Sequence, residues 1–527
     1  MTNIMKIRHK LWVPVLITLA FTVPSCDLEI AESDSLLLED ETSVFEGVEA
    51  AGSLNNMYDN LRGQTEDQGG LYALTEVTTD ELLVPTRGTD WGDNGVWRTL
   101  HTHTWTSTHP YVLGVWNDKN GAVLRATEVI HPLSQASAAQ VAEAKFLRAY
   151  NMWIVMDFWG QVPFREATDP VTDIPDVLTR GEAYDLIVQD LTDAIAGLPA
   201  SNPTASNKSR AVKATARFLL AKVKLNANIY KGTYGANDLQ DVVTLVDEIE
   251  ADGYSLTTNY FNLFIGPDFP ESDVIWTAPA SAGNRMWSGL HYNQVHIPDN
   301  TGGGWNGFTT LAEFYDKFEG PDLDNSIGGP QEERRGYTQT LASTNAQNQG
   351  FGYGFQIGQM YGWKDGAAVA LKDRVGNPLV FTKELPGLIG NNELTGIRVL
   401  KYSPANGAFT SGVVIARFAD AHLMRAEAML RQGNTGAALA EVNELRALRA
   451  NTPPLTAINE QVMLDERGRE LYTEGWRRND MIRFGAFRGS WEFKDASEGS
   501  ADGHTDLFPI PSSALLSNPN LVQNPGY

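Results

Sequence analysis

The sequence predicts a mainly α-helical protein built from helical hairpins of the tetratricopeptide kind, with long irregular loop insertions. Three observations predict it. Apolar residues recur at spacings of three and four along several separate stretches. Two such stretches near the C-terminus are joined by a short Gly433-Asn434 turn and line their shared face with alanine. By contrast, residues 255–410 hold few periodic runs and are rich in glycine, asparagine and aromatic rings, the mark of inserted loops.

The elements follow in chain order. Lys6, Arg8 and Lys10 precede the apolar run LWVPVLITLAFTV (11–23), which is too short for a comfortable membrane span, and small Ser25 precedes Cys26. This order predicts a lipoprotein signal peptide over 1–25, with Cys26 lipidated as the mature N-terminus. Pro24 is unusual there, and a plain secretory leader is the alternative. Residues 26–45 (CDLEIAESDSLLLEDETSVF) read as an acidic tether, and 46–527 as a single domain with insertions at about 62–110 and 255–410.

Ser137 and Gln140 form a capping-box pattern that opens a helix over 138–158. That helix carries two apolar faces, one with Leu147, Ile154 and Phe158 and one with Phe146, Tyr150 and Trp153, so it should lie between neighbours. Gly160 and Pro163 end it. Further helices are predicted over 181–198, 211–230 with Ser209 as cap, and 238–252. Near the C-terminus, Val414, Phe418, Ala421, Met424 and Ala428 repeat as one helical face, and Leu439, Val442, Leu445 and Leu448 as the next. A last helix is predicted over 459–474. The segment WRTLHTHTW (97–105) reads as strand-like.

Composition narrows the chemistry. The chain of 527 residues has 65 acidic against 41 basic side chains, a formal net charge of −24. Such a field repels phosphate backbones, so nucleic acid is not expected as a partner and a polymeric ligand should be neutral. With one cysteine, no internal disulfide forms. Phosphate loops, metalloprotease and nucleophile-elbow motifs are absent. His101 and His103 would share a face of a strand but lack further ligands, so packing is the better reading. Asp322 and Asp324 have a calcium-like spacing without the distal glutamate, so a structural cation is conceivable and no cofactor is expected. Asp80 with Glu81, or Asp90 with Asp93, could supply the two carboxylates of a glycoside hydrolase, although solvated surface acids are far commoner.

What stands out is aromatic and polar side chains mixed in glycine-rich loops. The stretch PTRGTDWGDNGVW (85–97) carries Arg87, Asp90, Trp91, Asp93, Asn94 and Trp97. The later insertion adds Trp287, His291, Tyr292, Asn293, Trp305, Tyr361 and Trp363. Indoles stack on the C–H faces of sugar rings while Asp, Asn and Arg bond the hydroxyl rim, although each ring could equally be core.

The motifs RGRELYTEGWRRNDMIRFG (467–485), LFPIPSSALLSNPNLVQNPGY (507–527), EAKFLRAYNMWIVMDFWGQVPF (143–164), ARFADAHLMRAEAML (416–430) and EERR (332–335), taken in their order along the chain, resemble the SusD/RagB outer-membrane lipoproteins of Bacteroidetes. The resemblance covers the chain from Cys26 onward. It implies a right-handed superhelix of four tetratricopeptide-like hairpins with ligand loops packed on one side. It also implies non-catalytic capture of a glycan at the cell surface and a TonB-dependent, SusC-like transporter as partner. The net charge argues against a polyanionic glycan, and a fructan or a neutral β-glucan such as laminarin is the class expected; peptide capture, as in RagB-like members, and glycoside hydrolysis are the alternatives. TTDELLVPTRGTDWGDNGVW (78–97) resembles a segment of one subset in which the tryptophan matching Trp91 stacks on sugar.

Overall fold

The computed structural model describes residues 44–264, 271–278, 283–294, 303–403, 412–496 and 503–527. The predicted leader, Cys26 and nearly all of the tether lie outside the described residues. Residues 45–527 form one compact unit.

The N-terminal half is helical: α1 (Ala50–Glu66), α2 (Gly70–Glu76), α3 (Val96–His101), α4 (Pro110–Ile130), α5 (Ala138–Trp159), α6 (Arg180–Gly197), α7 (Lys213–Leu225), α8 (Ala227–Lys231) and α9 (Asp238–Ala251). Between α5 and α6 a small hairpin pairs β1 (Gln161–Phe164) antiparallel with β2 (Asp176–Thr179). Strand β3 (Val274–Ala278) and the short helices α10 (Gly283–Gly289) and α11 (Ala312–Tyr315) open the insertion. Its remaining strands are β4 (Gly336–Tyr337), β5 (Tyr353–Gln356), β6 (Gly358–Gln359), β7 (Tyr361–Lys364), β8 (Ala367–Ala370), β9 (Val380–Phe381) and β10 (Arg398–Leu400). They form a three-stranded sheet ordered β10-β5-β4 and the pairs β6-β9 and β7-β8. The chain then returns through β11 (Val413–Arg417) to α12 (Phe418–Arg431), α13 (Thr435–Ala447), α14 (Glu460–Leu471), α15 (Arg477–Arg483) and α16 (Ser512–Ser517).

Helices pack in series: α4 on α5, α5 on α6, α6 on α7, α7 on α9, α9 on α12 and α12 on α13. The stack therefore continues from α9 to α12 while the chain between them is looped out. Helix α5 is its centre. Ser137 closes the predicted capping box, and Gly160 ends the helix in the left-handed conformation. Both apolar faces of α5 are buried, and α6 approaches closely because Gly197 has no Cβ; one would stand 2.7 Å from that of Ala142.

Several predicted boundaries change. Val414 belongs to β11, not to a helix, because Val413–Arg417 pairs with distant β3. The helix predicted over 211–230 starts at Lys213 and breaks at Asn226, whose side chain bonds the Lys222 carbonyl and Asn479. Ser209 is not its cap; its hydroxyl bonds Asn207. The region predicted as an insertion over 62–110 contains α2 and α3 and is irregular chiefly over 77–95. The strand-like segment at 97–105 opens as the end of helix α3.

Three of the family-like motifs, at 332–335, 416–430 and 467–485, meet in the interior. Glu466 on α14 bonds Arg334 at 2.8 Å, Arg446 at 2.5 Å and Arg469 at 2.6 Å. Glu470, one turn on, bonds Arg449 at 2.8 Å, Arg417 at 3.0 Å and Arg334 at 3.3 Å. Arg467 joins Asp420 and Asp480. Burial pushes the Glu466 carboxyl up, but Arg334, Arg469 and Arg446 outweigh it and hold it at about 2. Arg334 comes from the EERR stretch, so this web ties the insertion to the scaffold. The C-terminal tail closes the end of α5: Asn524 donates to the Trp159 and Phe508 carbonyls, and Trp159 donates to that of Pro509.

Candidate functional site

The 85–97 loop is a reversal clamped from two sides. Arg87 and Asp90 exchange backbone hydrogen bonds of 2.9 Å across it. The Thr86 and Gly88 amides donate to the carbonyls of Leu388 and Asn391, while Leu83 pairs with Thr309. The loop is thus held between segments 303–310 and 386–398. Trp91, Asp93 and Asn94 have φ of 60°, 35° and 52°. This conformation is uncommon for residues with a Cβ and persists where surrounding contacts enforce it.

Those contacts are specific for Trp91. Its indole Nε1 donates to the Trp305 carbonyl at 2.7 Å. The ring lies on Gly307, where a Cβ would come within 2.4 Å of Cε2. Phe308 meets it edge-on at 5.8 Å and Trp97 lies 5.7 Å away. The indole is half-buried, and the side chain of Trp305 beside it is 38% exposed.

Around this platform the structure gathers residues from three loops. Tyr292 donates its hydroxyl to Asp90 Oδ2 at 2.6 Å. Arg374 lies 3.9 Å above the Tyr292 ring, contacts Asp90 at 3.3 Å and pairs with Glu393. His291 Nδ1 accepts from the Asn293 amide at 3.0 Å, so Nε2 carries the proton and donates to Glu393 Oε2 at 3.0 Å. Burial pulls the His291 imidazole down to about 4, and it is neutral at pH 7. Burial and then the neighbouring Asp90 raise the Tyr292 phenol, which keeps it a donor.

Other sequence candidates are placed differently. Arg87 is turned inward: its Nη1 donates to the Asn392 and Thr395 carbonyls and to the Thr395 hydroxyl. It is buried and splints the loop, so it does not face a ligand as expected. Trp97 is also buried, at 2% exposure, packed on Phe308 and Tyr111, with Nε1 donating to Asp93 at 2.7 Å. It is core beneath Trp91. Asp93 is exposed and fixes Trp97; Asn94 is exposed. Trp287 is half-buried and packs against the core, with its carbonyl accepting from the Trp305 amide at 2.7 Å. Trp363, on the β7-β8 hairpin, lines a small pocket with Tyr361, Asn293 and Gln349.

The residues weighed for other chemistries are held by protein partners. Asp80 is buried against Arg477, with two contacts of 2.7 Å, and buried Glu81 accepts from the Thr473 amide. Asp90 and Asp93 are each engaged by an aromatic donor. His101 and His103 end on the Glu492 and Thr78 carbonyls, each at 2.8 Å. Burial pulls His101 down to about 4. No group of three or more potential metal ligands occurs among the described residues. At the calcium-like spacing, the Lys383 ammonium bridges Asp316 and Asp322, while Asp324 caps the Ser326 amide.

Arg374 and Glu393 were not singled out in the sequence. The KDRVGNP stretch (372–378) signals a turn, and Asp373 does cap the amides of Val375 and Asn377. Nothing in that signal points Arg374 at Tyr292.

The fold is thus a helical stack that displays a clamped, half-buried indole from its inserted loops. Comparison with known proteins identifies it: the chain belongs to the SusD family. A family model described as SusD family matches residues 272–527, and one described as starch-binding associating with outer membrane matches 34–225. The chain is 26% identical to the starch-binding protein SusD of Bacteroides thetaiotaomicron, over 89% of this chain and 88% of the relative. A SusD-like protein from Bacteroides fragilis superposes with a TM-score of 0.68 at 20% identity, covering 92% of this chain and 98% of that one. Surface glycan-binding protein A of Bacteroides thetaiotaomicron, solved in complex with laminarihexaose, gives 0.61 at 19% identity, covering 91% and 99%.

Proposed function

We propose that this protein captures an uncharged oligo- or polysaccharide at the cell surface, without cleaving it, and passes it to a TonB-dependent, SusC-like transporter. The observation that carries this reading is Trp91: a left-handed backbone residue whose ring is fixed by Trp305, Gly307 and Phe308 rather than submerged. Conformational strain at a half-buried aromatic that keeps one face open is a feature that function retains. Tyr292 and Trp305 widen the aromatic surface, and Asp90 supplies an acceptor for hydroxyls. The net charge of −24 favours a neutral polymer, and a fructan or a β-glucan is the class proposed. Relatives named for starch binding, or solved with laminarihexaose, also take neutral glucans. Anchoring to the outer membrane through lipidated Cys26 completes the reading.

Each stacking contact contributes on the order of 1 kcal/mol beyond its buried area, so a few give roughly micromolar to millimolar affinity. That range suits a protein that must release its cargo. The test is affinity electrophoresis of the soluble chain, from residue 27, through gels loaded with amylose, laminarin and inulin. Retardation without new reducing ends is expected, and Trp91→Ala should abolish it while the variant still melts cooperatively. Appearance of reducing ends, or undiminished retardation of Trp91→Ala, would overturn the proposal.

A further inference from the structure

Arg87, the guanidinium expected at the ligand, is bound inside the fold. Arg374 stands outside it, on the rim. Half of its side chain is in solvent, yet three anchors fix it: its Nε and backbone amide on Glu393, its Nη2 on Asp90, and its plane over the Tyr292 ring. An exposed arginine ordinarily samples many rotamers; one held in place before the ligand arrives loses little freedom on binding.

The surrounding charges decide what it can hold. Asp90 and Glu393 together outweigh its single positive charge, and exposed Asp93 lies on the same loop. Buried Arg87 and Arg398 add positive charge behind them, so the discrimination is local: a carboxylate or sulfate must compete with Asp90 and Glu393 for the Arg374 N–H groups, whereas a hydroxyl that accepts one N–H displaces neither. Asp90 and Glu393 are acceptors, and a saccharide hydroxyl that must also accept needs a donor beside them.

We propose that Arg374 is a specificity-determining residue of the glycan site: a fixed donor beside Tyr292 that serves uncharged hydroxyls and, held by Asp90 and Glu393, rejects anionic sugars. This rests on the glycan reading above.

Calorimetric titration of the soluble chain with amylose, laminarin and inulin, each also oxidised at C6 to the carboxylate, tests it. Wild type should prefer the neutral forms. Arg374→Ala should weaken their binding about tenfold, and Arg374→Lys less, with melting temperatures unchanged. Glu393→Gln should gain affinity for the oxidised forms, about threefold or more, and added salt should remove the gain. Neutral binding that is equal or tighter in Arg374→Ala, or no gain in Glu393→Gln, would sink the proposal. If wild type binds none of the neutral glycans, the glycan reading itself fails; if only Trp91→Ala loses binding, this inference alone fails.

Discussion

The web around α14 and the rim around Trp91 are built from the same side chains to opposite ends. In the web, Arg334, Arg417, Arg449, Glu466 and Glu470 are wholly buried and each charge is matched by another. At the rim, Arg374, Asp90, Glu393 and Tyr292 meet just as closely but with solvent beside them. In the web the guanidiniums hold the Glu466 and Glu470 carboxyls well below their ordinary range, where no ligand reaches them. Shifted titration behaviour points to function only where a ligand has access. In the web it reports how the insertion is fastened to the scaffold, and so how firmly the rim is held.

That contrast can be broken from either side. The largest effect is expected from Glu470→Ala, which leaves three buried guanidiniums short of an anion. A loss of roughly 3–5 kcal/mol is expected, read as a collapse of the denaturation midpoint or of soluble yield. Acid comes next. Buried His101 and His291, each pulled down to about 4, make stability fall as pH drops from about 6.5 to 4, because the unfolded chain takes up protons the folded chain refuses. Glu466 adds a loss of opposite chemistry but the same direction: its contribution is complete above its ordinary value of 4.5 and disappears as pH falls toward 2. Buried Glu81, raised by its burial and by Glu76, works in the opposite sense, so the histidine contribution is read by difference: the melting temperature of His101→Gln should fall less between about pH 6.5 and 4 than that of wild type, and equal slopes would break the claim.

At the rim, Gly307→Ala sharpens the comparison. The added methyl meets the Trp91 ring at 2.4 Å, so the ring must shift. A stability loss of about 1–3 kcal/mol is expected, together with loss of glycan retardation. Unchanged retardation would show that Trp91 need not sit where it does. The smallest effect is expected for an ion pair outside both regions: Lys231→Ala removes an exposed contact to Asp185 and should change stability by less than about 1 kcal/mol in a denaturation curve.

Much of the scaffold was readable because its signals are local. The Ser137 capping box, the two faces of α5 and the α12–α13 hairpin follow from spacing and caps within one or two turns. Helix α4 was missed because Gly114, Asn117, Asn120 and Gly121 lower its propensity; packing on α5 overrides this. Helix α1 was missed for the same reason, although Leu54, Met57, Tyr58 and Leu61 carry a helical spacing. Val414 was misread because the partner of its strand lies more than a hundred residues earlier.

The site divides in the same way. By itself, the sequence determined that aromatic and polar side chains would crowd glycine-rich loops on a helical frame, because composition and turn chemistry act over a few residues. Which of Arg87 and Arg374 faces outward, and that Trp97 is submerged while Trp91 stays half-buried, only the tertiary structure decided. Those outcomes depend on what segments 303–310 and 386–398 bring alongside the loop, and contacts between segments so far apart in the chain leave no periodic trace in it.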